Sequence, residues 1–215
     1  MKKVLFFIFL NLIVSSVALS QDELVNDGAF PEAEFDVAIN PLDSNNIVIA
    51  CQSGFGNFNS FVLSIYYTYD FGVTWQKSNY DGTVEPSSAS GDPVLSFDAA
   101  GNVYLVNLRL VAGNNVAVYL SKSSDGGANW SQGSAVALDN CDKPWLAIDR
   151  HASSPYVGNI YVPILRNNVI LYRHNGTQVT HSQQIPDGDH LPSVVVKKDG
   201  TVFTSVVDLT SPNRV

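Results

Sequence analysis

Apolar and polar positions along this chain alternate with period two in short runs, and the runs return in a fixed order. Phe35-Asp-Val-Ala-Ile-Asn40, Pro93-Val-Leu-Ser-Phe-Asp98, Pro144-Trp-Leu-Ala-Ile-Asp149 and Pro192-Ser-Val-Val-Val-Lys197 align without gaps, at spacings of 58, 51 and 48 residues. Each is followed by a turn and a second apolar run: Asn46-Ile-Val-Ile49, Gly101-Asn-Val-Tyr104, Gly158-Asn-Ile-Tyr161 and Gly200-Thr-Val-Phe203. Each pair reads as an antiparallel hairpin. Two further strands per repeat are predicted, over Val62–Thr68 and Thr74–Lys77 in the first and Asn115–Lys122 and Trp130–Val136 in the second. Four short strands at a period of about 50 describe a propeller blade.

The fold class predicted is therefore all-β, a propeller with about three complete four-stranded blades and part of a fourth. The blades fall over residues 34–82, 83–140, 141–187 and 188–215, preceded by an N-terminal segment at 21–33. A six-bladed ring at this period takes roughly 300 residues, so the sequence reads as a piece of a longer ring. No stretch after the first twenty residues shows a capped 3.6-residue apolar period, and helix is not expected. Those first twenty carry Lys2 and Lys3, an apolar run from Val4 to Val17, and small residues at Ala18 and Ser20, the pattern of a secretory signal. The run falls short of the roughly 20 residues that a bilayer-spanning helix needs. The expectation is a secreted or periplasmic protein with no membrane span once the signal is removed.

Without Lys2 and Lys3 the chain holds ten basic against twenty acidic residues, a net charge of −10 with no basic run, which argues against nucleic acid as a partner. An exported chain with two cysteines, Cys51 and Cys141, leaves one disulfide open as an alternative to two thiols.

Between the third and fourth strands of the first two repeats lie Thr68-Tyr-Asp70-Phe-Gly72-Val-Thr74-Trp75 and Ser123-Ser-Asp125-Gly-Gly127-Ala-Asn129-Trp130. The third repeat has only Tyr172-Arg-His174-Asn-Gly176. Asp70 and Asp125 are suited to accept N–H bonds from their own turns, Gly72 and Gly127 to take positive φ, and Trp75 and Trp130 to bury apolar area between sheets. The two segments fit Ser/Thr-x-Asp-x-Gly-x-x-Trp, and on them the chain resembles the sialidase-like superfamily of Asp-box, or BNR-repeat, propellers. The resemblance implies a carbohydrate-directed protein whose Asp-boxes are structural and lie opposite the substrate face. It implies, for an active sialidase, three substrate-clamping arginines, an Asp acid/base and a Tyr–Glu pair. The first such arginine belongs to an Arg-Ile-Pro motif ahead of the first Asp-box; here Phe35-Asp-Val-Ala-Ile39 stands there and no arginine precedes Arg109. No sialidase catalytic residue is carried over.

Inner strands of a propeller begin near its axis, on the face that usually binds ligand, and the loops joining second to third strands ring the same face. This places Glu34, Asp92, Asp142, Lys143 and His190 near the axis, and Arg109, Arg166 and the stretch holding Phe55 and Phe58 around it. Glu34, Asp92 and Asp142 are the candidates for an acid and base pair, since neighbouring carboxyls push their pKa values apart and glycosidases use two. The competing reading has Asp92 and Asp142 bonding backbone amides at strand starts. Lys143, His190, Arg109, Arg166, Phe55 and Phe58 are ligand-binding candidates. Asp98, Asp149 and Asp199 read as turn formers. No cofactor is expected, and no metal site, because no calcium loop or His spacing suits one. The partner expected is a glycan or glycoprotein. Two functions stay open: a glycoside hydrolase completed by further blades, and a non-catalytic propeller that binds a glycan or a protein.

Overall fold

The computed structural model describes residue 25 and residues 31–54, 61–80, 89–112, 115–186 and 190–207. Fourteen strands are assigned among them, and no α-helix occurs among the described residues. Blade one is an antiparallel sheet in chain order, β1 (Glu32–Asn40), β2 (Asp43–Ser53), β3 (Val62–Thr68) and β4 (Gln76–Lys77). Blade two repeats it with β5 (Ala89–Phe97), β6 (Val103–Val111), β7 (Asn115–Ser123) and β8 (Ser134–Ala137). Blade three holds β9 (Ala147–Ile148), β10 (Ile160–Leu165), β11 (Val169–His174) and β12 (Val179–Gln184), and β13 (His190–Val196) with β14 (Val202–Val207) forms a further hairpin.

Blade two is buried on both faces, which explains why β6 reads Val-Tyr-Leu-Val-Asn-Leu-Arg-Leu-Val with almost no polar alternation. Its Val103 and Leu105, with Leu95 and Phe97 of β5, pack on Val48, Ala50, Leu63 and Ile65 of blade one. The alternate side chains Tyr104, Val106 and Leu108 face Leu146, Ile148, Ile160, Val162 and Ile164 of blade three. One sheet thus serves two interfaces. On the far side of blade one, Phe35, Val37 and Ile39 are exposed, as are Val195 and Phe203 on the β13–β14 hairpin. These are the unsealed apolar faces expected of an open arc of blades.

The turns at 68–75 and 123–130 are closed by their own side chains. Asp70 Oδ1 accepts the Thr74 N–H at 2.9 Å, and Thr68 Oγ1 accepts the N–H groups of Asp70 and Gly72. Asp125 and Ser123 repeat this with Asn129 and Gly127. Gly72 and Gly127 have φ of +91° and +101°. The second turn also joins two blades: Asn46 Nδ2 donates to Gly126 O, Tyr69 Oη to Asp125 O, and Trp130 Nε1 to Ser78 Oγ. Trp130 packs against the core between blades one and two, whereas Trp75 stays over its own turn beside Gly72.

Blade three departs from the sequence alignment of these turns. His174, not Tyr172, ends the third strand, where Thr68 and Ser123 stand in the other blades: it pairs with Ile160 as they pair with Ile47 and Val103. Its Nδ1 accepts the Gly176 N–H at 2.9 Å, the role of the Ser/Thr hydroxyl, while Nε2 lies 3.2 Å from Ser134 Oγ. Asp98, Asp149 and Asp199 accept N–H groups of their own turns.

Candidate functional site

Every inner strand begins with the same defect. In β1, β5 and β13 the ladder slips by one residue, at Ala33/Asp36, Gly91/Val94 and His190/Ser193. In blade three the bridge Asp142 to Leu165 and the bond from Trp145 N–H to Pro163 O frame the matching extra residue. The bulged residues are Glu34, Asp92, Lys143 and Leu191, and all four are left-handed, with φ of 52°, 47°, 42° and 41°. Left-handed backbone costs a residue with a Cβ roughly 1–2 kcal/mol, so four repeats of it mark positions fixed by their surroundings. Three of the four are followed by Pro93, Pro144 and Pro192, which lack the N–H that a bulge would leave unpaired. A bulge re-aims the side chain it carries.

Here the four bulges aim at one cavity. It has a volume of about 370 Å³ and is lined by three consecutive residues from each of the four repeats, at or just ahead of the inner strand: 34–36, 92–94, 143–145 and 191–193. Lys143 Nζ lies 3.0 Å from Asp92 Oδ2 and 3.7 Å from Glu34 Oε1. A hydrogen bond with the Asp92 carboxyl, helped by partial burial and by the Asp92 charge, holds Glu34 above the ordinary carboxylate range; Lys143 opposes this only in part. Burial works against the Lys143 charge, but the Asp92 hydrogen bond and the charges of Asp92, Glu34 and Asp142 outweigh it and raise its pKa. Asp36, deeper in the wall, is pushed up by burial while its Oδ2 accepts the Leu95 N–H at 2.6 Å.

The sequence-predicted residues divide accordingly. Glu34, Asp92 and Lys143 are brought together. Asp142 is not: it is exposed, does not line the cavity, and its Oδ1 accepts the N–H of Lys143, the backbone-bonding role. His190 pairs with Val207 behind the bulge, and its neighbour Leu191 takes the lining position.

Arg109 requires a correction. It lies inside β6 rather than on a loop and is 2% exposed, its guanidinium donating to Gln132 O, Tyr80 Oη and Ser121 Oγ over the Tyr119 ring. The physical reason is the length of the β6–β7 hairpin, which pairs as far as Val111 and Asn115 and encloses Arg109. Arg166 does sit on the β10–β11 turn, but it is held by Asp139 and lies away from the cavity. Phe55 and Phe58 lie outside the described residues.

The disulfide is not formed. Cys51 and Cys141 are buried thiols, Cys51 donating to Ser64 O within blade one and Cys141 to Asp139 O beside blade three. Burial, with the Glu32 charge adding to it, pushes Cys51 up to about 12; burial likewise raises Cys141 to about 11. Among the described residues no group of three His, Cys, Asp or Glu side chains is placed to hold a metal ion.

Sequence reasoning missed Asp36, Leu191 and above all Trp145, which lines the cavity with 43% of its surface exposed. The residue triplet at each repeat start was the available signal, since the four triplets align without gaps.

No family model and no curated protein matches this sequence. Solved structures do. A Hadza microbial sialidase superposes with a TM-score of 0.58 at 10% identity, over 85% of this chain and 44% of that one. A xylan β-1,4-xylosidase from Bacillus halodurans gives 0.53 at 14% identity, over 81% and 36%. The chain is a β-propeller arc. A fructan 1-exohydrolase from Cichorium intybus gives 0.51 at 12% identity, over 76% of this chain and 35% of its own length. At such identities the likeness establishes the propeller fold, and the arc spans about half or less of these three chains.

Proposed function

We propose that this chain is an exported, carbohydrate-directed propeller of the Asp-box type that binds a glycan in the axial cavity. The observation that carries the reading is the convergence of four left-handed bulges on one cavity, lined by the Glu34–Lys143–Asp92 cluster together with exposed apolar side chains. A few convergent polar groups in an otherwise apolar hollow are the usual make-up of a small-ligand site. The names of the structural neighbours, a sialidase, a xylosidase and a fructan exohydrolase, support a sugar as the ligand. Export rests on the signal pattern at residues 1–20, and no helix among the described residues is long and apolar enough to cross a membrane.

Binding is favoured over hydrolysis by the engagement of the two carboxyls. Two carboxyls that work on a glycosidic bond stand about 5–5.5 Å apart for retention and about 6.5–9.5 Å for inversion. Glu34 and Asp92 are instead both drawn onto Lys143 Nζ, at 3.7 and 3.0 Å, so each is engaged in an ion pair rather than free to work on a bond. The hydrolase reading draws on the raised pKa of Glu34, which suits a proton donor, with Asp36 and Asp92 as further carboxyls of the same cavity. Calorimetric titration with a panel of oligosaccharides tests the proposal. Wild type and the exposed control Arg150→Ala should bind the same member of the panel, and Glu34→Gln/Asp92→Asn should bind it at least tenfold more weakly. Equal affinity in all three would rule out the axial cavity as the site.

A further inference from the structure

We infer that the axial cavity takes a neutral sugar residue in preference to an acidic one, with an apolar face of the ring seated on Trp145; the inference rests on the glycan-binding reading above. The neighbours leave this question open, since they include both a sialidase and a xylosidase by name.

Charge is the first argument. Among the described residues the cavity wall carries Glu34, Asp36 and Asp92 against a single cation, Lys143. That cation is already engaged, with Asp92 Oδ2 at 3.0 Å and Glu34 Oε1 at 3.7 Å. A sugar carboxylate would have to take Lys143 from two carboxyls held beside it, and would meet their charges in a partly desolvated hollow. Recognition of a carboxylate is the work of a planar arginine fork, and among the described residues no arginine lines the cavity. Arg109 is buried between blades one and two, Arg166 is paired with Asp139, and Arg173 donates to Thr180.

Apolar side chains make up most of the rest of the lining. Trp145, Leu191 and Phe35 are exposed there, beside Pro93, Pro144 and Pro192. Trp145 occupies the repeat position held by Asp36, Val94 and Ser193 in the other blades, so the indole is peculiar to blade three. A large flat apolar surface in the same cavity as a hydrogen-bonding cluster matches a ligand with one C–H face and a rim of hydroxyls. Glu34, Asp92 and Lys143 between them offer acceptors and donors for neutral hydroxyls, whose binding does not require the Lys143 pairs to break.

The test is a titration of the whole chain, followed by tryptophan fluorescence and calorimetry, with xylohexaose and 1-kestose as neutral probes and sialyllactose and trigalacturonic acid as acidic ones. At least one neutral probe should bind, and both acidic probes should bind at least tenfold more weakly. Trp145→Ala should lose at least tenfold in affinity for the neutral probe with an unchanged melting temperature. Glu34→Gln should narrow the gap between neutral and acidic probes. Tighter binding of an acidic probe, lost in Lys143→Met, would overturn this inference and leave the glycan site standing. Binding of none of the four would overturn the glycan-binding reading and the inference with it.

Discussion

Asp36 Oδ2 accepts the N–H of Leu95 at 2.6 Å, so a carboxylate at the start of blade one's inner strand is fastened to the inner strand of blade two. The contact spans 59 positions of sequence and lies directly behind the cavity wall. Asp36→Ala leaves the Leu95 N–H without its acceptor, and a stranded buried donor costs about 1–3 kcal/mol. Chemical denaturation should report a loss in that range. A change within error would show that water replaces the carboxylate.

The turn at Gly127 is a second fastening between the same blades. A Cβ there would meet Val48 Cγ2 at 2.8 Å, on a backbone already at φ +101°. Gly127→Ala is expected to cost more than the roughly 1–2 kcal/mol of left-handed strain alone, because the side chain also intrudes on the core between the blades. Gly176→Ala makes the comparison, since nothing lies within 4 Å of a Cβ at that position and φ is a similar +92°. Thermal melts of the two variants should separate the strain from the clash, with Gly127→Ala melting lower.

His174 is fully buried, its Nδ1 occupied as an acceptor by the Gly176 N–H, and burial lowers its pKa. The unfolded chain therefore takes up a proton near pH 6.5 that the folded chain refuses, and stability falls as pH drops below that value. His174→Ser restores the residue type of the other two blades and removes this slope. The check is the difference in denaturation free energy between pH 7 and pH 5, which should be smaller in the variant even though the lost imidazole lowers its stability at pH 7.

Arg109 bears on the division between structure and site. Its guanidinium holds Gln132 O, Ser121 Oγ and Tyr80 Oη, so Arg109→Lys, lacking the planar fork, should destabilise by about 1–3 kcal/mol. Because Arg109 does not line the cavity, glycan affinity at 25 °C should stay within about twofold of wild type. A tenfold loss with intact stability would return Arg109 to the binding face.

Why the blades are legible in the sequence and the site only partly so follows from what each depends on. Strand periodicity and turn chemistry are local, so Val62–Thr68 is readable to the residue and the Asp70 and Asp125 turns are readable with their hydrogen bonds. The convergence of Glu34, Asp92 and Lys143 follows from the repeat alone. Their left-handed backbone does not, because a bulge is a relation between two strands and leaves no period in one. Arg109 is misread for a related reason. Asn107 and Arg109 alternate with Val106, Leu108 and Leu110 in a strand buried on both faces, and a buried arginine without a carboxylate partner looks like a loop residue in sequence. Trp145 escapes notice because its repeat equivalents are small or aliphatic apart from Asp36, and an isolated tryptophan in a strand suggests core.

The central claim, a glycan seated among four inner-strand bulges, is tested most directly by amide hydrogen exchange with and without the tightest-binding oligosaccharide. Added protection should concentrate at residues 34–36, 92–95, 143–146 and 191–194, and the turns at 68–75 and 123–130 should exchange as before. Protection confined to those turns, or to the outer strands β4, β8 and β12, would contradict it.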